Sequence, residues 1–364
     1  MTQSQSSKIV TRRGVLAAAA AAPLAAPAIA RAQEPKRWTM VTAWPKGAPG
    51  VGTSADRFAA MVNRMAAGRL EITVYGAGEI VPAFEALDAV QQGTAEMLHG
   101  SPYFWVGKSP ALNYFTSIPF GMTATEYSAW LTFGGGIELW RELYETFDAV
   151  PFYVGSSGVQ AGGWFTRPVD TLDDLKGLKF RIAGLGGAVL ERLGVNAVLL
   201  PPGEIGPALL SGAIEGADWI GPWNDIAFGL YQTAKYYYMP GWHEPGPALE
   251  MTVGRKAWDS LDDDLKGIIE VAAAATAEQT LADFNFHNIE AYPKLAELGV
   301  EVRSFSPEII EAVRAGTAVV LEELAGTDAF TRRIHDSHMG FLEQARAYSP
   351  HAELGFLTMR NGDA

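Results

Sequence analysis

The sequence contains no cysteine among its 364 residues. This absence excludes disulfide bonds, thiolate nucleophiles and cysteine-ligated zinc. Small secreted domains usually need disulfides because their cores are small, so a chain without them depends on the burial of a large apolar core. The length also exceeds what one hydrophobic core usually covers, and we therefore expect two lobes.

Basic residues are scarce as well, with 28 lysines and arginines against 41 aspartates and glutamates, a formal net charge of −13. An acidic surface repels polyanions, which excludes nucleic acid as a partner. Beyond the N-terminal segment, the sequence also lacks a run of about 20 strongly apolar residues, the length that a membrane-spanning helix needs.

The first 32 residues have the pattern of an export signal. Basic residues at Lys8, Arg12 and Arg13 precede an apolar run over 15–29, and Ala30-Arg31-Ala32 forms a small-x-small cleavage site. The paired arginines favour the twin-arginine route. Cleavage removes four basic residues and no acidic residue, so the formal charge falls from −13 to −17. We predict an acidic mature protein in the periplasm.

Short apolar segments alternate with amphipathic ones along the mature chain, a pattern that predicts an α/β fold. A helix of about 35 residues is predicted from Asp262 to Leu298, with Pro293 kinking or splitting it. So long a helix can span two lobes. The prediction is a two-lobed α/β fold with a hinged cleft, this spanning helix and further C-terminal helices.

The predicted domain boundaries follow from this path of the chain. The signal occupies residues 1–32 and the spanning helix 262–298. Lobe I takes 33–155 plus about 245–262, and lobe II takes 156–244 plus about 290–325. Residues 326–364 form a C-terminal helical extension, a candidate dimerisation element.

The candidate binding residues follow predicted strands or turns, and ligands of open α/β sheets bind at strand carboxyl ends. Arg181 lies in an otherwise apolar strand, where a guanidinium is costly unless an anion neutralises it. Its two parallel donors match a carboxylate, although pairing with an internal acid or a solvated face explains it equally. Gln160, Asp218 and Glu244 offer the oxygen ligands of a hard cation such as Na⁺ or Ca²⁺, or are scattered surface groups.

Four motifs together resemble the extracytoplasmic solute-binding proteins of TRAP transporters. They are Gly158-Val-Gln160-Ala-Gly-Gly-Trp164-Phe, Leu178-Lys-Phe-Arg181, Asp218-Trp219-Ile-Gly-Pro and Tyr236-Tyr-Tyr-Met-Pro-Gly-Trp242-His-Glu244. The similarity covers essentially the whole mature chain and is closest to the metal-assisted 2-oxoacid, or monocarboxylate, binders. It implies the two-lobed periplasmic-binding-protein fold, a 2-oxo or 2-hydroxy monocarboxylate such as pyruvate as ligand, and TRAP membrane subunits as partners.

The resemblance also implies roles for individual residues. Arg181 would pair with the ligand carboxylate, and Tyr103 would contribute from the first lobe. The cation ligands implied are Gln160, Asp218, Trp219 through its backbone carbonyl, and Glu244. Related proteins carry Glu or Asp where this chain has Asp218, so Na⁺ and Ca²⁺ both stay open. In this branch the long C-terminal helix is similar to one exchanged between two subunits, which implies a homodimer.

Two enzyme classes are alternatives to this binding function. Gly184-Leu-Gly-Gly187 after a predicted strand, with Glu204 about 20 residues on, approaches a dinucleotide-binding turn and suggests an NAD-dependent oxidoreductase of small acids. Its third glycine is misplaced, and Pro201-Pro202 interrupts the next strand. The hydrolase alternative is disfavoured because this sequence lacks the G-x-S-x-G motif of a nucleophilic serine. The pair His335-x-x-His338 is predicted to lie on a solvated helix face, and His243 is a candidate cleft residue without an assigned role.

Overall fold

Two separate β-sheets organise residues 35–362, the part of the chain that the computed structural model describes. The first sheet has the strand order β2-β1-β3-β10-β4, and the second has the order β11-β9-β5-β8-β6-β7. The strands are β1 (Lys36–Thr42), β2 (Leu70–Tyr75), β3 (Met97–Gly100), β4 (Ala149–Ser156), β5 (Gly163–Phe165), β6 (Lys179–Arg181), β7 (Asn196–Val198), β8 (Gly216–Ala217), β9 (Tyr236–Tyr238), β10 (Ala248–Gly254) and β11 (Glu301–Arg303). The predicted two-lobed α/β fold is confirmed.

Fourteen α-helices among the described residues surround the sheets. They are α1 (Val51–Met65), α2 (Ala86–Gln91), α3 (Ala124–Phe133), α4 (Gly136–Glu145), α5 (Leu172–Leu175), α6 (Leu185–Glu191), α7 (Ile205–Ser211), α8 (Pro222–Ala227), α9 (Arg255–Asp259), α10 (Asp263–Ala291), α11 (Lys294–Glu297), α12 (Pro307–Ala325), α13 (Ala329–Tyr348) and α14 (Glu353–Asn361). In this described part no helix combines the length and apolar character needed to cross a bilayer.

The longest helices begin at residues whose side chains cap them. Asp262, Ser306 and Asp328 accept hydrogen bonds from the backbone N–H groups three residues later, at the starts of α10, α12 and α13. Such caps satisfy N–H groups that have no partner within the helix. Pro293 follows α10 and separates it from α11, so the predicted spine is a 29-residue helix ending at Ala291 and a short second helix.

Parallel strand pairs in both sheets direct their carboxyl ends toward the region between the sheets. In the first sheet β1 pairs parallel with β2 and β3. In the second sheet β6 pairs parallel with β7 and β8. The segments that follow these strands contain Trp44, Tyr103 and Asp218, while Arg181 ends β6. The pairing therefore brings chemically distinct side chains to one place.

Several segments connect the two sheets. Residues 157–162 join β4 to β5, residues 239–247 join β9 to β10, and α10 leads from the first sheet toward β11 in the second. The helix α10 packs closely on β4, since a Cβ atom on Gly155, at φ +121°, would lie 2.7 Å from Cβ of Thr280. A larger residue at Gly155 would force these two elements apart.

One strand is unexpected, and one local expectation is wrong. The strand β10 was not predicted, and it lies in the middle of the first sheet between β3 and β4. His338 was expected on a solvated face, yet it is fully buried against Trp130, Tyr114 and Tyr127. The helix α13 packs on α3 and α4, so this face of it belongs to the core. The predicted export signal lies outside the described residues.

Candidate functional site

Arg181 is buried at the carboxyl end of β6, with 1% of its surface exposed. Its Nη1 donates to the Oδ1 atom of Asp218 at 2.5 Å and to the carbonyl oxygen of Asp218 at 3.1 Å. Its Nε donates to the carbonyl oxygen of Leu200 at 3.2 Å. Nη2 is also buried and has no partner within residues 35–362. The Nε and Nη1 atoms of the guanidinium are thus held by other groups of the protein, and Nη2 is available to bind an anion.

Asp218 lies beside Arg181 because β8 pairs parallel with β6, with Ala217 opposite Arg181. Its second carboxylate oxygen, Oδ2, is 3.3 Å from Nε2 of His243, although their alignment is not that of a hydrogen bond. Asp218, His243 and Glu244 each offer a ligand atom, and these atoms all lie within 4.8 Å of one another. This is the one such buried acid and histidine cluster found in the described part of the chain.

Gln160 and Glu244 approach each other from the two segments that connect the sheets. The backbone N–H of Gln160 donates to the carbonyl oxygen of Glu244 at 3.1 Å. The Gln160 Nε2 donates to Oγ of Ser157 at 3.0 Å, which leaves its Oε1 for another partner. Gln160 Oε1 and Glu244 Oε2 are both buried without a hydrogen bond from any described residue. Two oxygen acceptors are therefore available at this point.

Trp219 follows Asp218, and its backbone is held by the next turn. Asp225 accepts hydrogen bonds from the N–H groups of Ile220 and Gly221, each at 3.0 Å, and from Trp164 and Tyr237. The Trp219 ring lies 5.8 Å from the guanidinium carbon of Arg181, within the range of a cation–π contact. Asp225 thereby fixes the direction of the backbone that carries the Trp219 carbonyl.

Tyr103 reaches the same region from the first lobe. It lies in the turn after β3, where its backbone N–H donates to Oγ1 of Thr116 at 2.9 Å. Burial raises the pKa of the Tyr103 hydroxyl well above its ordinary value, and the Glu244 charge raises it further against the opposing effect of Arg181. Tyr103 is therefore a neutral donor close to those charged groups.

The charged groups perturb one another's ionisation. Burial raises the pKa of Glu244 to about 8, with Asp218 adding to the rise and His243 and Arg181 opposing it. For His243, burial lowers the pKa, but the Asp218 and Glu244 carboxylates outweigh it and the net value lies above the ordinary one. Burial and the neighbouring Asp218 thus oppose the ionisation of Glu244, and a bound cation would favour the ionised form of both carboxylates.

The residues present fit a hard cation next to a bound carboxylate. Asp218 and Glu244 supply carboxylate oxygens, Gln160 supplies an amide oxygen without a partner in residues 35–362, and Trp219 can add its carbonyl. Oxygen atoms of this kind are the ligands of Na⁺ and Ca²⁺. The Nη2 atom of Arg181, which has no partner among the described residues, suits an anion.

The structure brings together all six residues that the sequence pointed to, in one buried region between the lobes. Sequence reasoning left His243 without a role and did not consider Trp44 or Asn224. Trp44 follows the carboxyl end of β1 by two residues, so the strand-end rule could have found it. Asn224 gives no such signal, because its partner, the carbonyl oxygen of Pro49, lies 175 residues away.

Two α/β lobes that present strand ends to a shared buried site, joined by several crossing segments, define a hinged solute-binding protein. Residues 40–327 match the family of bacterial extracellular solute-binding proteins, family 7 (DctP), and the chain belongs to this family. Members are extracytoplasmic receptors of transporters rather than enzymes. The predicted TRAP-type binding function is thereby confirmed, and the oxidoreductase alternative is wrong.

Named relatives extend this assignment. The chain is 42% identical over 320 residues, 88% of each chain, to a monocarboxylate 2-oxoacid-binding periplasmic protein of Nostoc sp.. A TRAP solute-binding protein from Bordetella bronchiseptica, a mixed-occupancy dimer with copurified calcium and picolinate, has a TM-score of 0.89 and 34% identity, covering 91% of this chain and 98% of that one. One from Pseudoalteromonas atlantica, with bound sodium and pyruvate, has a TM-score of 0.86 and 36% identity, covering 89% and 98%.

Proposed function

We propose that the chain captures a small 2-oxo or 2-hydroxy monocarboxylate, of which pyruvate is the type, together with a hard cation. The observation that carries the proposal is the free Nη2 of the buried Arg181, beside a cluster of oxygen atoms that includes the unpartnered Oε1 of Gln160 and Oε2 of Glu244. An anion and a cation placed side by side satisfy both sets of atoms. The ligands of the Nostoc, Bordetella and Pseudoalteromonas proteins support this ligand class.

Each residue has a distinct part in this function. Arg181 binds the ligand carboxylate, and Tyr103 donates its hydroxyl from the first lobe. Gln160, Asp218, the Trp219 carbonyl and Glu244 hold the Na⁺ or Ca²⁺ ion. The cation supplies positive charge that offsets the ligand and the two protein carboxylates. Burying the ligand's charge is favourable only because Arg181 and the cation neutralise it together.

We further propose that the lobes close over the ligand by a hinge motion. Binding groups come from both lobes and from the crossing segments, so a ligand that contacts all of them stabilises the closed arrangement. The lobe boundaries remain those expected from the sequence, with 33–155 and about 245–262 in one lobe and 156–244 and about 290–325 in the other. Opening then releases the acid to the membrane subunits of a TRAP transporter.

Two features of the mature protein belong to the same proposal. The predicted cleavable segment 1–32 directs export, by the twin-arginine route, to the periplasm. A homodimer forms through the C-terminal helix α14, whose side chains Leu354, Phe356 and Met359 are all more than half exposed. Large apolar side chains grouped on one short helix are typical of a surface that a partner covers.

Calorimetry of the purified mature protein tests the ligand class. Bound metal is first removed, and the protein is then titrated with pyruvate, lactate and propanamide in buffers with and without Na⁺ or Ca²⁺. These titrations separate the contribution of the ligand from that of the cation. We expect saturable binding of the two acids only when a cation is present. Propanamide lacks both the negative charge that Arg181 requires and the oxygen on the second carbon, so it serves as an uncharged control of similar size. Tight binding of propanamide, or equal binding of pyruvate without any cation, would contradict the proposal.

A further inference from the structure

Trp44 forms the first-lobe wall of a small cavity next to the proposed binding site. It lies two residues after β1, is 2% exposed, and lines the cavity together with Tyr103, Gln160 and Trp219. The cavity volume open to the centre of a water molecule is about 10 Å³, which is room for about one water. A group larger than a water molecule must displace some of the side chains that line the cavity. The rigidity of these side chains therefore limits the size of the group that can bind.

A hydrogen-bonded chain holds the Trp44 ring in place. Its Nε1 donates to Nδ1 of His99 at 2.7 Å, and Nε2 of His99 lies 3.2 Å from Oγ of Ser54. Because the indole is only a donor, Nδ1 of His99 must accept, which places the histidine proton on Nε2. Ser54 Oγ in turn donates to the carbonyl oxygen of Val51 at 2.9 Å. Burial lowers the pKa of His99 to about 3, consistent with a neutral ring.

Aromatic packing restrains the same ring on its other sides. Trp44 meets Phe104 edge-on at a centroid distance of 5.3 Å and meets Trp219 of the second lobe at 6.2 Å. Rotating the indole away would break its hydrogen bond to His99 and leave Nε1 of Trp44 and Nδ1 of His99 buried without partners. The wall is therefore stiff on the first-lobe side.

The cavity is continuous with the proposed cation site, because Gln160 and Trp219 belong to both. A carboxylate held by Arg181 and the cation directs the rest of the acid away from them. The first-lobe part of the cavity, where Trp44 lies, is then the space available to the acid's side chain. Each added methylene has to be accommodated against the fixed indole.

We propose that Trp44 limits the length of the ligand's side chain, and that His99 is the positioning residue that holds Trp44 in place. This inference rests on the proposed function. The protein selects acids with a side chain of one or two carbons, such as pyruvate, over acids with longer or branched chains.

Calorimetry with pyruvate and 2-oxopentanoate, in the presence of the cation, tests the inference. The wild-type protein should bind pyruvate more tightly. Trp44→Leu should shift the ratio of the two affinities toward 2-oxopentanoate by about 15-fold, because this acid has two more methylenes than pyruvate and each one that a widened cavity buries strengthens binding by about fourfold. A wild-type preference for 2-oxopentanoate, or an unchanged ratio in a folded Trp44→Leu protein, overturns it. If Trp44→Leu does not fold, Trp44→Phe should shift the ratio in the same direction.

Control variants separate this effect from general loosening. Trp38→Leu removes a buried indole of β1, six residues before Trp44 and away from the cavity, and should leave the ratio unchanged. His99→Leu should shift the ratio as Trp44→Leu does but less, whereas His99→Gln keeps an acceptor for the indole and should retain the wild-type ratio. If the wild-type protein binds neither acid, the proposed function itself fails. If it binds both and only the ratio is insensitive to Trp44, the size limit alone fails.

Discussion

Asn224 of the second lobe donates a hydrogen bond from Nδ2 to the carbonyl oxygen of Pro49 in the first lobe, at 2.6 Å. Asn224 is fully buried, so the bond is shielded from water. Nearby, Gly203 approaches Pro45, since a Cβ at Gly203 would lie 4.0 Å from Cγ of Pro45. These contacts join the segment after β1 of the first sheet to segments of the second lobe without any ligand, and we expect them to stabilise the closed arrangement of the proposed function.

Replacing Asn224 should therefore weaken ligand binding without removing any ligand contact. A hydrogen bond of this kind contributes about 1 kcal/mol net, so Asn224→Ala should lower the affinity for pyruvate about fivefold. Calorimetry gives the affinity, and small-angle scattering of the ligand-free protein should show a larger radius of gyration. Asn196→Ala is the matched control, because Asn196 donates to the carbonyl oxygen of Gly177 within the second lobe. An equal loss of affinity in Asn224→Ala and Asn196→Ala would exclude a role of Asn224 in closure of the lobes.

Arg181→Lys tests whether the guanidinium, rather than positive charge alone, binds the acid. Lysine keeps the charge beside Asp218, but a single ammonium cannot hold Asp218 and a ligand carboxylate in the same planar arrangement. Hydrogen bonds to charged groups contribute about 1.5–3 kcal/mol, so affinity should fall about 10- to 100-fold. Arg192→Lys, at a half-exposed arginine paired with Glu323, should bind as the wild type does. Undiminished affinity in Arg181→Lys, measured by calorimetry, would remove Arg181 from the site.

The position of Arg181 illustrates how far the sequence predicts this site. Arg181 and Asp218 could be predicted to meet, because each lies at or just after a strand and parallel strands end at one edge. Gln160 and Glu244 also come after strands, but they lie on two crossing segments whose approach depends on how the whole chain folds back. Their oxygen atoms suggested cation ligands, and only the resemblance to a family placed the two residues in one site.

Other features were unpredictable for a similar reason, since distant residues determine them. Strand β10 has Glu250 at its centre, an unusual residue for a buried strand. Trp105 and Tyr144 each donate to its carboxylate at 2.6 Å, and Thr252 donates at 2.8 Å, so the charge is satisfied by side chains up to 145 residues away. Local patterns contain no sign of those partners.

The cation site leads to a prediction about charge. A bound cation favours ionised Asp218 and Glu244 and a neutral His243, so these two carboxylates and the ligand then carry three negative charges against the one positive charge of Arg181. A divalent ion neutralises this group, whereas a monovalent ion leaves one negative charge. Asp218→Asn should therefore weaken Ca²⁺ binding more than Na⁺ binding. Thermal unfolding of chelator-treated protein, titrated with each chloride salt in the presence of pyruvate, measures this, since an ion at a hundredfold excess over its Kd stabilises by about 2.7 kcal/mol. The exposed acid Asp173, changed to Asn, is the control. A parallel loss for both ions would contradict the charge argument.

Two buried histidines make stability dependent on pH. Burial lowers the pKa of both His99 and His338 to about 3, against about 6.5 when unfolded. Between these values the unfolded chain binds protons that the folded chain does not, so stability falls as the pH drops below 6.5. From pH 7 to 5 each histidine should cost about 2 kcal/mol.

The variant His338→Phe isolates the contribution of His338 to this pH dependence, since the remaining buried titratable groups are the same in both proteins. We measure the free energy of unfolding by urea denaturation at pH 7 and at pH 5. The decrease from pH 7 to pH 5 should be about 2 kcal/mol smaller in His338→Phe than in the wild type. His351→Gln, at an exposed histidine, should not change the difference. An unaltered pH dependence in His338→Phe would mean that His338 is protonated in the folded state.

The C-terminal helix α14 gives the last prediction, which concerns assembly. None of its residues is buried, and Leu354, Phe356 and Met359 are more than half exposed. Phe356 and Met359 lie three residues apart and share one face. An isolated helix of nine residues is too short to be stable alone in water, so we expect contacts with a second copy to stabilise it. Sedimentation velocity of the mature protein should show a dimer. Replacing Phe356 and Met359 by Ser should give a monomer, whereas Thr358→Ser on the same helix should not. A dimer that survives the double replacement would place the interface elsewhere, and a wild-type monomer would exclude it.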